Sequence, residues 1–136
     1  MKASVFIDGA SRGNPGPASV GIVFQDAAGK PLKVISKCIG VATNNTAEYY
    51  ALILALQQAL MLNIKELTLF TDSELVAKQF SGEYKIKDAS LKLLFVLVSH
   101  LSQGFSALQV THVPREKNKR ADEEANKALD QETLFL

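Results

Sequence analysis

The sequence is poor in cysteine, in long apolar runs and in net charge. Its one cysteine, Cys38, cannot close an intramolecular disulfide, and its apolar neighbours Val34 and Ile39 predict a structural thiol in a reducing compartment. The N-terminus holds one lysine and an apolar run that Asp8 interrupts, which is not typical of a signal peptide. Residues 91–101 are too short and too polar to span a bilayer. We therefore expect a cytoplasmic protein that does not contact membranes.

Linkers, charge blocks and internal repeats are also missing from the 136 residues, which predicts a single domain over residues 1–136. Lysine and arginine number 15 against 14 acids, so the formal net charge is only +1. This balance argues against a strongly basic nucleic-acid binder. With 47% apolar residues, the chain has the composition of an ordinary globular protein and is not expected to be disordered.

Hydrophobic patterning predicts an α/β protein whose elements follow the order βββαβααβα. The strands are expected over residues 3–9, 19–25, 32–41, 66–71 and 105–113, and the helices over residues 46–63, 73–80, 88–103 and 118–129. Three hairpin-connected strands, followed by strands that alternate with α-helices, predict a mixed five-stranded sheet with helices on both faces. In such sheets the functional crevice lies at the carboxyl ends of the strands, where the strand order switches.

Four acids stand out by their positions: Asp8 ends the first strand, Glu48 lies in the first turn of the first helix, Asp72 follows the fourth strand, and Asp122 opens the last helix. Each also has a purely structural interpretation. These are an Asp8-Gly9 turn, a capping arrangement of Asn45 and Glu48, a capping box over residues 71–74 in which Asp72 is incidental, and a helix-dipole role for Asp122. However, an unpaired charge in a buried strand costs several kcal/mol, so Asp8 favours a functional interpretation.

Four segments carry a resemblance to a known family: IDGASRGNPGP at residues 7–17, TNNTAEYYAL at 43–52, TDS at 71–73 and HVPREKNKRAD at 112–122. With these segments in this order, the chain resembles type 1 ribonuclease H of the RNase H-like superfamily. Within that family it resembles the compact subgroup that has a His-Val-Pro-Arg segment. The resemblance implies the RNase H-like fold. It also implies an endoribonuclease that hydrolyses the RNA strand of RNA–DNA hybrids by two-metal-ion catalysis and leaves 5′-phosphate and 3′-hydroxyl ends.

The resemblance also implies the site residues. The metal ligands would be Asp8, Glu48, Asp72 and Asp122, holding two Mg²⁺ ions with Mn²⁺ as a substitute. Arg115 is expected in the site on a different ground, because Pro114 closes the fifth strand and puts the next side chain close to the crevice rim, where a guanidinium could hold an oxygen of the scissile phosphate. The hybrid would be bound by Arg12, Asn14, Thr43, Asn44 and Asn45. Leaving out the four acids leaves fifteen cations against ten acids, a net charge of +5 that favours a polyanion.

The sequence leaves several alternatives open. The asparagines could merely shape turns and caps, and Lys85 and Lys87 could be a solvated pair instead of a basic substrate contact. Arg115 could merely pair with Glu116 or another surface acid, and which of His112, Arg115 and Glu116 assists turnover is left open.

The chain could also be a catalytically weak or silent hybrid-binding module, or a glycosidase built on a carboxylate pair. The expected partner is an RNA–DNA hybrid, with no obligate protein partner and a monomeric state. The apolar residues at positions 134–136 could dock on the domain or bind a partner.

Overall fold

A computed structural model describes residues 1–134 and contains one mixed sheet with the strand order β3-β2-β1-β4-β5. The first three strands form an antiparallel meander, whereas β4 is parallel to β1 and β5 is parallel to β4. The strands are β1 (Lys2–Ser11), β2 (Gly16–Asp26), β3 (Pro31–Ala42), β4 (Glu66–Thr71) and β5 (Ala107–His112). This sheet confirms the predicted architecture.

The helices are α1 (Asn44–Met61), α2 (Glu74–Ser81), α3 (Ala89–Ser102) and α4 (Lys119–Leu134), and a 3₁₀ turn at Arg115–Lys117 precedes α4. The order βββαβααβα is therefore confirmed. Helix α4 runs five residues past its predicted end, because no glycine or proline follows Leu129 to stop it. Phe135, Leu136 and the Leu134 side chain, for which docking on the domain or binding of a partner was left open, lie outside the described residues.

Helices cover both faces of the sheet. Helix α1 packs on β1 and β2, and its apolar surface is buried against side chains such as Val5, Ile7 and Ile22, which are fully inaccessible to solvent. Helix α3 packs against α1, whereas α4 lies on the opposite face against β1, β2 and β3. Within residues 1–134, no helix is both long and apolar enough to cross a membrane.

Cys38 lies on β3 beneath α4. Its thiol donates a hydrogen bond of 3.2 Å to the carbonyl oxygen of Ala128, and burial, followed by the Glu132 carboxylate, raises the pKa of Cys38 to about 11. A protonated, hydrogen-bonded thiol at a helix–sheet contact agrees with the predicted structural role.

Candidate active site

The site begins with a buried acid in the central strand. Val5, Ile7 and Asp8 of β1 are all buried, and only 5% of Asp8 is exposed to solvent. Asp8 lies opposite Gly21 of β2 in the antiparallel register. Because residues paired across strands share a face, Asp8 and Gly21 both lie on the side that α4 covers.

Gly21 allows α4 to pass directly over this part of the sheet. A Cβ atom at Gly21 would lie 2.0 Å from the carbonyl oxygen of Ala121, so any other residue would push the helix away. Asn118, buried just before α4, donates a 2.8 Å hydrogen bond from Nδ2 to the carbonyl oxygen of Ile7. These two contacts bring the first turn of α4, and with it Asp122, to the carboxyl end of β1.

A second close approach places Glu48. A Cβ atom at Gly9 would lie 2.3 Å from the carbonyl carbon of Ala47, so α1 crosses the end of β1 at backbone contact distance. The Gly9 amide donates a 2.9 Å hydrogen bond to Glu48 Oε1. The other carboxylate oxygen, Oε2, is buried and has no hydrogen-bond partner. Such an orphaned acceptor is costly unless a ligand satisfies it.

The capping interpretation of Asn45 and Glu48 is wrong. Helix α1 is capped by Thr43, whose hydroxyl accepts a 3.2 Å hydrogen bond from the Thr46 amide. Because Thr43 takes this position, the helix starts two residues earlier than predicted. Glu48 then lies at the fifth position of the helix and is directed to the sheet instead of back to the helix terminus.

Asp72 follows β4 at the level of Asp8. The parallel register pairs Ile7 with Thr71, so the residues that follow them are neighbours at the same edge of the sheet. The Ser73 hydroxyl caps α2 by accepting from the Val76 amide at 3.2 Å. Glu74 does not complete the capping box, because its carboxylate accepts a 3.0 Å hydrogen bond from the Tyr84 hydroxyl. Asp72 is therefore no part of the cap.

The carboxylates of Asp8, Glu48 and Asp72 converge, with oxygen atoms that lie within 4.8 Å of one another. Asp122 lines the same cavity, which has a volume of about 370 Å³. Arg12, Asn44 and Arg115 also line it. The structure thus brings seven of the ten predicted site residues to one cavity at the carboxyl ends of β1 and β4.

Electrostatics in the cluster are unfavourable without a cation. Burial, followed by the nearby Glu48 and Asp72 carboxylates, raises the pKa of Asp8 far above its ordinary value. Burial also raises the pKa of Glu48, although the Gly9 amide opposes this effect. Two acids whose charged forms are disfavoured, beside an unsatisfied oxygen, are suited to a divalent cation with oxygen ligands. The donor set therefore fits the divalent metal use that the family implies.

Among the ion pairs of the described residues, Arg115 pairs with Asp122. Its Nη2 atom lies 3.9 Å from Asp122 Oδ1, and 81% of its side chain is exposed. Of the alternative pairings with Glu116 or another surface acid, the structure forms the one with Asp122, which is itself a predicted metal ligand. His112 and Glu116 are both exposed, at the end of β5 and in the 3₁₀ turn.

The remaining three predicted residues lie in a second cavity of about 290 Å³. It is lined by Asn14, Thr43, Asn45, Thr46, Asp88, Ser90 and Leu91. Asn14 Oδ1 accepts a 2.9 Å hydrogen bond from the Asn44 amide, which joins the loop after β1 to the start of α1. Turn and cap roles thus exist for Asn14 and Thr43. Lys85 and Lys87 line a separate surface depression beside Tyr84.

Sequence reasoning missed three residues that shape this site. Gly21 and Asn118 set the position of α4, and Asn126 lines the carboxylate cavity one helical turn after Asp122. The four-residue spacing between Asp122 and Asn126 was a usable signal, because such pairs share a helix face. No signal in the sequence indicated that Gly21 faces α4, since this depends on the register between β1 and β2.

Fold and site together define a class of α/β protein with a carboxylate cluster at the carboxyl ends of its central strands. The family described as reverse transcriptase-like matches residues 6–128. The chain belongs to this ribonuclease H-like family and, within it, to type 1 ribonuclease H.

Individual relatives are similar over nearly the whole chain. A protein named ribonuclease HI from Halobacterium salinarum is 45% identical over 129 residues, which cover 95% of this chain and 65% of that protein. The chain thus spans less than two thirds of that relative.

Two crystal structures are similar in fold as well as in sequence. RNase H1 from H. salinarum superposes with a TM-score of 0.94 at 44% identity, covering 96% of this chain and 99% of that one. LC11-RNase H1 in complex with an RNA/DNA hybrid superposes with a TM-score of 0.92 at 42% identity, covering 97% and 99%.

Proposed function

We propose that the chain is an endoribonuclease that hydrolyses the RNA strand of RNA–DNA hybrids and leaves 5′-phosphate and 3′-hydroxyl ends. The observation that carries this proposal is the cluster of the buried Asp8 and Glu48 with the partly exposed Asp72, whose oxygens lie within 4.8 Å of one another. LC11-RNase H1, which is similar over 97% of this chain, was crystallised with an RNA/DNA hybrid. The enzyme would act in the cytoplasm as one domain over residues 1–136, without an obligate protein partner.

Asp8, Glu48, Asp72 and Asp122 would hold two Mg²⁺ ions, with Mn²⁺ as a substitute. Two cations in such a site supply an activated water and stabilisation of the leaving oxygen. The chain itself would position the carboxylates that hold these ions. The Gly9 amide fixes Glu48 Oε1 and leaves the buried Oε2 without a protein partner, while Gly21 and Asn118 hold Asp122 beside β1.

Arg115 would bind an oxygen of the scissile phosphate. Its exposed guanidinium stands at the rim of the cavity, 3.9 Å from Asp122. A guanidinium can hold two phosphate oxygens in a fork, which a lysine ammonium does not reproduce.

Substrate choice would rest on the amide and hydroxyl groups beside the cluster. Asn44 lines the carboxylate cavity, and Asn14, Thr43 and Asn45 line the adjoining one. Amides both donate and accept hydrogen bonds, which suits a 2′-hydroxyl in the minor groove. Because only RNA carries that hydroxyl, these residues would select the strand that is cut.

The test compares end-labelled RNA–DNA hybrid, duplex DNA and duplex RNA, each incubated with the protein in Mg²⁺ or in EDTA. We expect cutting of the RNA strand of the hybrid, only with Mg²⁺, and no cutting when that strand is replaced by its 2′-deoxy counterpart. Hybrid binding without cleavage would establish the silent-module alternative instead. Cleavage that persists in EDTA would contradict the proposed role of the metal ions.

A further inference from the structure

The carboxylate cavity continues past the acids along α4. Its wall there is formed by Ser11, Arg12 and Asn126. Asn126 follows Asp122 by one helical turn, and its Nδ2 atom donates a 3.1 Å hydrogen bond to the Asp122 carbonyl oxygen. One end of the cavity is therefore anionic, whereas the adjoining wall presents a guanidinium and an amide.

Arg12 is held in this wall by a residue distant in sequence. Its Nη2 atom lies 2.6 Å from Oδ1 of Asp130, which follows Asn126 by one further turn of α4. Both side chains are substantially exposed, at 44% and 65%. An exposed ion pair contributes little to stability, so the fold gains little from this contact. Its clear effect is to orient a guanidinium toward the cavity wall.

We propose that Arg12 and Asn126 form a phosphate subsite beside the carboxylate cluster, and that Asp130 is the positioning residue that holds Arg12 there. The ligand is a backbone phosphodiester of the hybrid next to the one that is cut. The inference deepens the proposed function and rests on it.

The chemistry of the wall selects a phosphate. A guanidinium has five N–H donors, so one bond to Asp130 leaves the others for a phosphate oxygen. The amide of Asn126 adds a neutral donor group. The four acids are an unsuitable surface for a polyanion, and a cationic contact next to them offsets this repulsion.

Asp130 acts through Arg12 in this scheme. A flexible arginine loses rotamer freedom when it binds, and a carboxylate that already fixes the side chain reduces that loss. Removing Asp130 should therefore weaken phosphate binding, although it also removes a negative charge near the phosphate. If Asp130 acted only through its negative charge, its removal would instead strengthen phosphate binding.

The experiment measures equilibrium binding of a fluorescein-labelled RNA–DNA hybrid by anisotropy over a series of salt concentrations. All variants carry Asp72→Asn to suppress cleavage. Arg12→Ala should weaken binding about tenfold and lower the salt slope by about one, since one phosphate contact is lost. Arg12→Lys should keep the slope but lose part of the affinity. Asn126→Ala should weaken binding about threefold with an unchanged slope.

Asp130→Asn should weaken binding about threefold when Arg12 is present, and have no effect in the Arg12→Ala background. The matched control is Glu124→Gln, which removes the same charge from the same helix, in an ion pair with Arg120. An Asp130→Asn protein that binds as tightly as the control overturns the positioning role. An unchanged salt slope in Arg12→Ala overturns the subsite.

Failure of the subsite can be distinguished from failure of the proposed function. Hybrid cleavage by the protein without Asp72→Asn tests the function separately. If that protein does not cut the hybrid, the function fails, and the binding series still decides whether Arg12 and Asn126 hold a phosphate.

Discussion

The two cavities at the carboxyl edge of the sheet are built on different principles. The carboxylate cavity holds two acids, Asp8 and Glu48, that the fold buries at a cost. Close contacts between backbones at Gly9 and Gly21 bring α1 and α4 to it. The second cavity is lined by exposed polar groups, and two of these, Asn14 and Thr43, already make hydrogen bonds that shape a loop and a helix start. The first cavity is therefore explained only by a ligand, whereas the second is compatible with either a ligand or local structure.

The largest expected effect is in the carboxylate cavity. Asp8→Asn should abolish hybrid cleavage, because it removes a proposed metal ligand from the centre of the cluster. The metal-free variant should melt no lower than the wild type, since the substitution relieves repulsion with Glu48 and Asp72. Cleavage assays and thermal melts in EDTA measure both. Glu66→Gln, at the opposite end of β4, is the matched control and should keep full activity.

A smaller effect is expected at the rim of the same cavity. Arg115→Ala should lower kcat at least tenfold, about 1.4 kcal/mol, if the guanidinium binds the phosphate in the transition state. Arg115→Lys should recover only part of this loss. The measurement is kcat at saturating hybrid and Mg²⁺. A value within twofold of the wild type in the alanine variant would transfer the role to His112 or Glu116.

In the second cavity, Asn14→Ala and Asn45→Ala should each raise KM about fivefold, which is about 1 kcal/mol for one lost hydrogen bond. The value of kcat should change little, because these residues lie outside the carboxylate cluster. Steady-state kinetics on the hybrid separate the two parameters. If both variants match the wild type in KM while their melting temperatures fall, the asparagines have only their turn and cap roles.

The pH dependence of the free energy of unfolding should also report on the carboxylate cavity, which holds Asp8 and Glu48. Burial raises the pKa values of Asp8 and Glu48 in the folded state. The folded protein then binds more protons than the unfolded chain at pH values above the ordinary carboxylate pKa, about 4. Its free energy of unfolding should therefore rise as the pH falls from 8 to 6 in EDTA. Urea melts measure this gain, and Asp8→Asn should reduce it; an identical pH dependence in both proteins contradicts the assignment.

The sequence was sufficient for the sheet and for the acids because both depend on local signals. A run of apolar and β-branched residues before a turn identified β1, and a charge in that buried strand singled out Asp8. The cap at Thr43 and the length of α4 were missed, because several neighbouring polar residues could cap the helix and no residue stops α4 after Leu129. The contributions of Gly21 and Asn118 depend on strand register and on packing between elements more than 90 residues apart in the chain. Local patterns carry no information on such contacts.

The most direct test of the central claim is the effect of Mg²⁺ on the melting temperature of the wild type and of Asp72→Asn, without any nucleic acid. A cation bound only by the folded state at 100 times its Kd stabilises by about 2.7 kcal/mol. For a domain of this size that corresponds to a rise of roughly 10 °C in Tm. We expect such a rise in the wild type and a much smaller one in Asp72→Asn. Equal shifts in the two proteins, or none in the wild type, would contradict a metal site built from Asp8, Glu48 and Asp72.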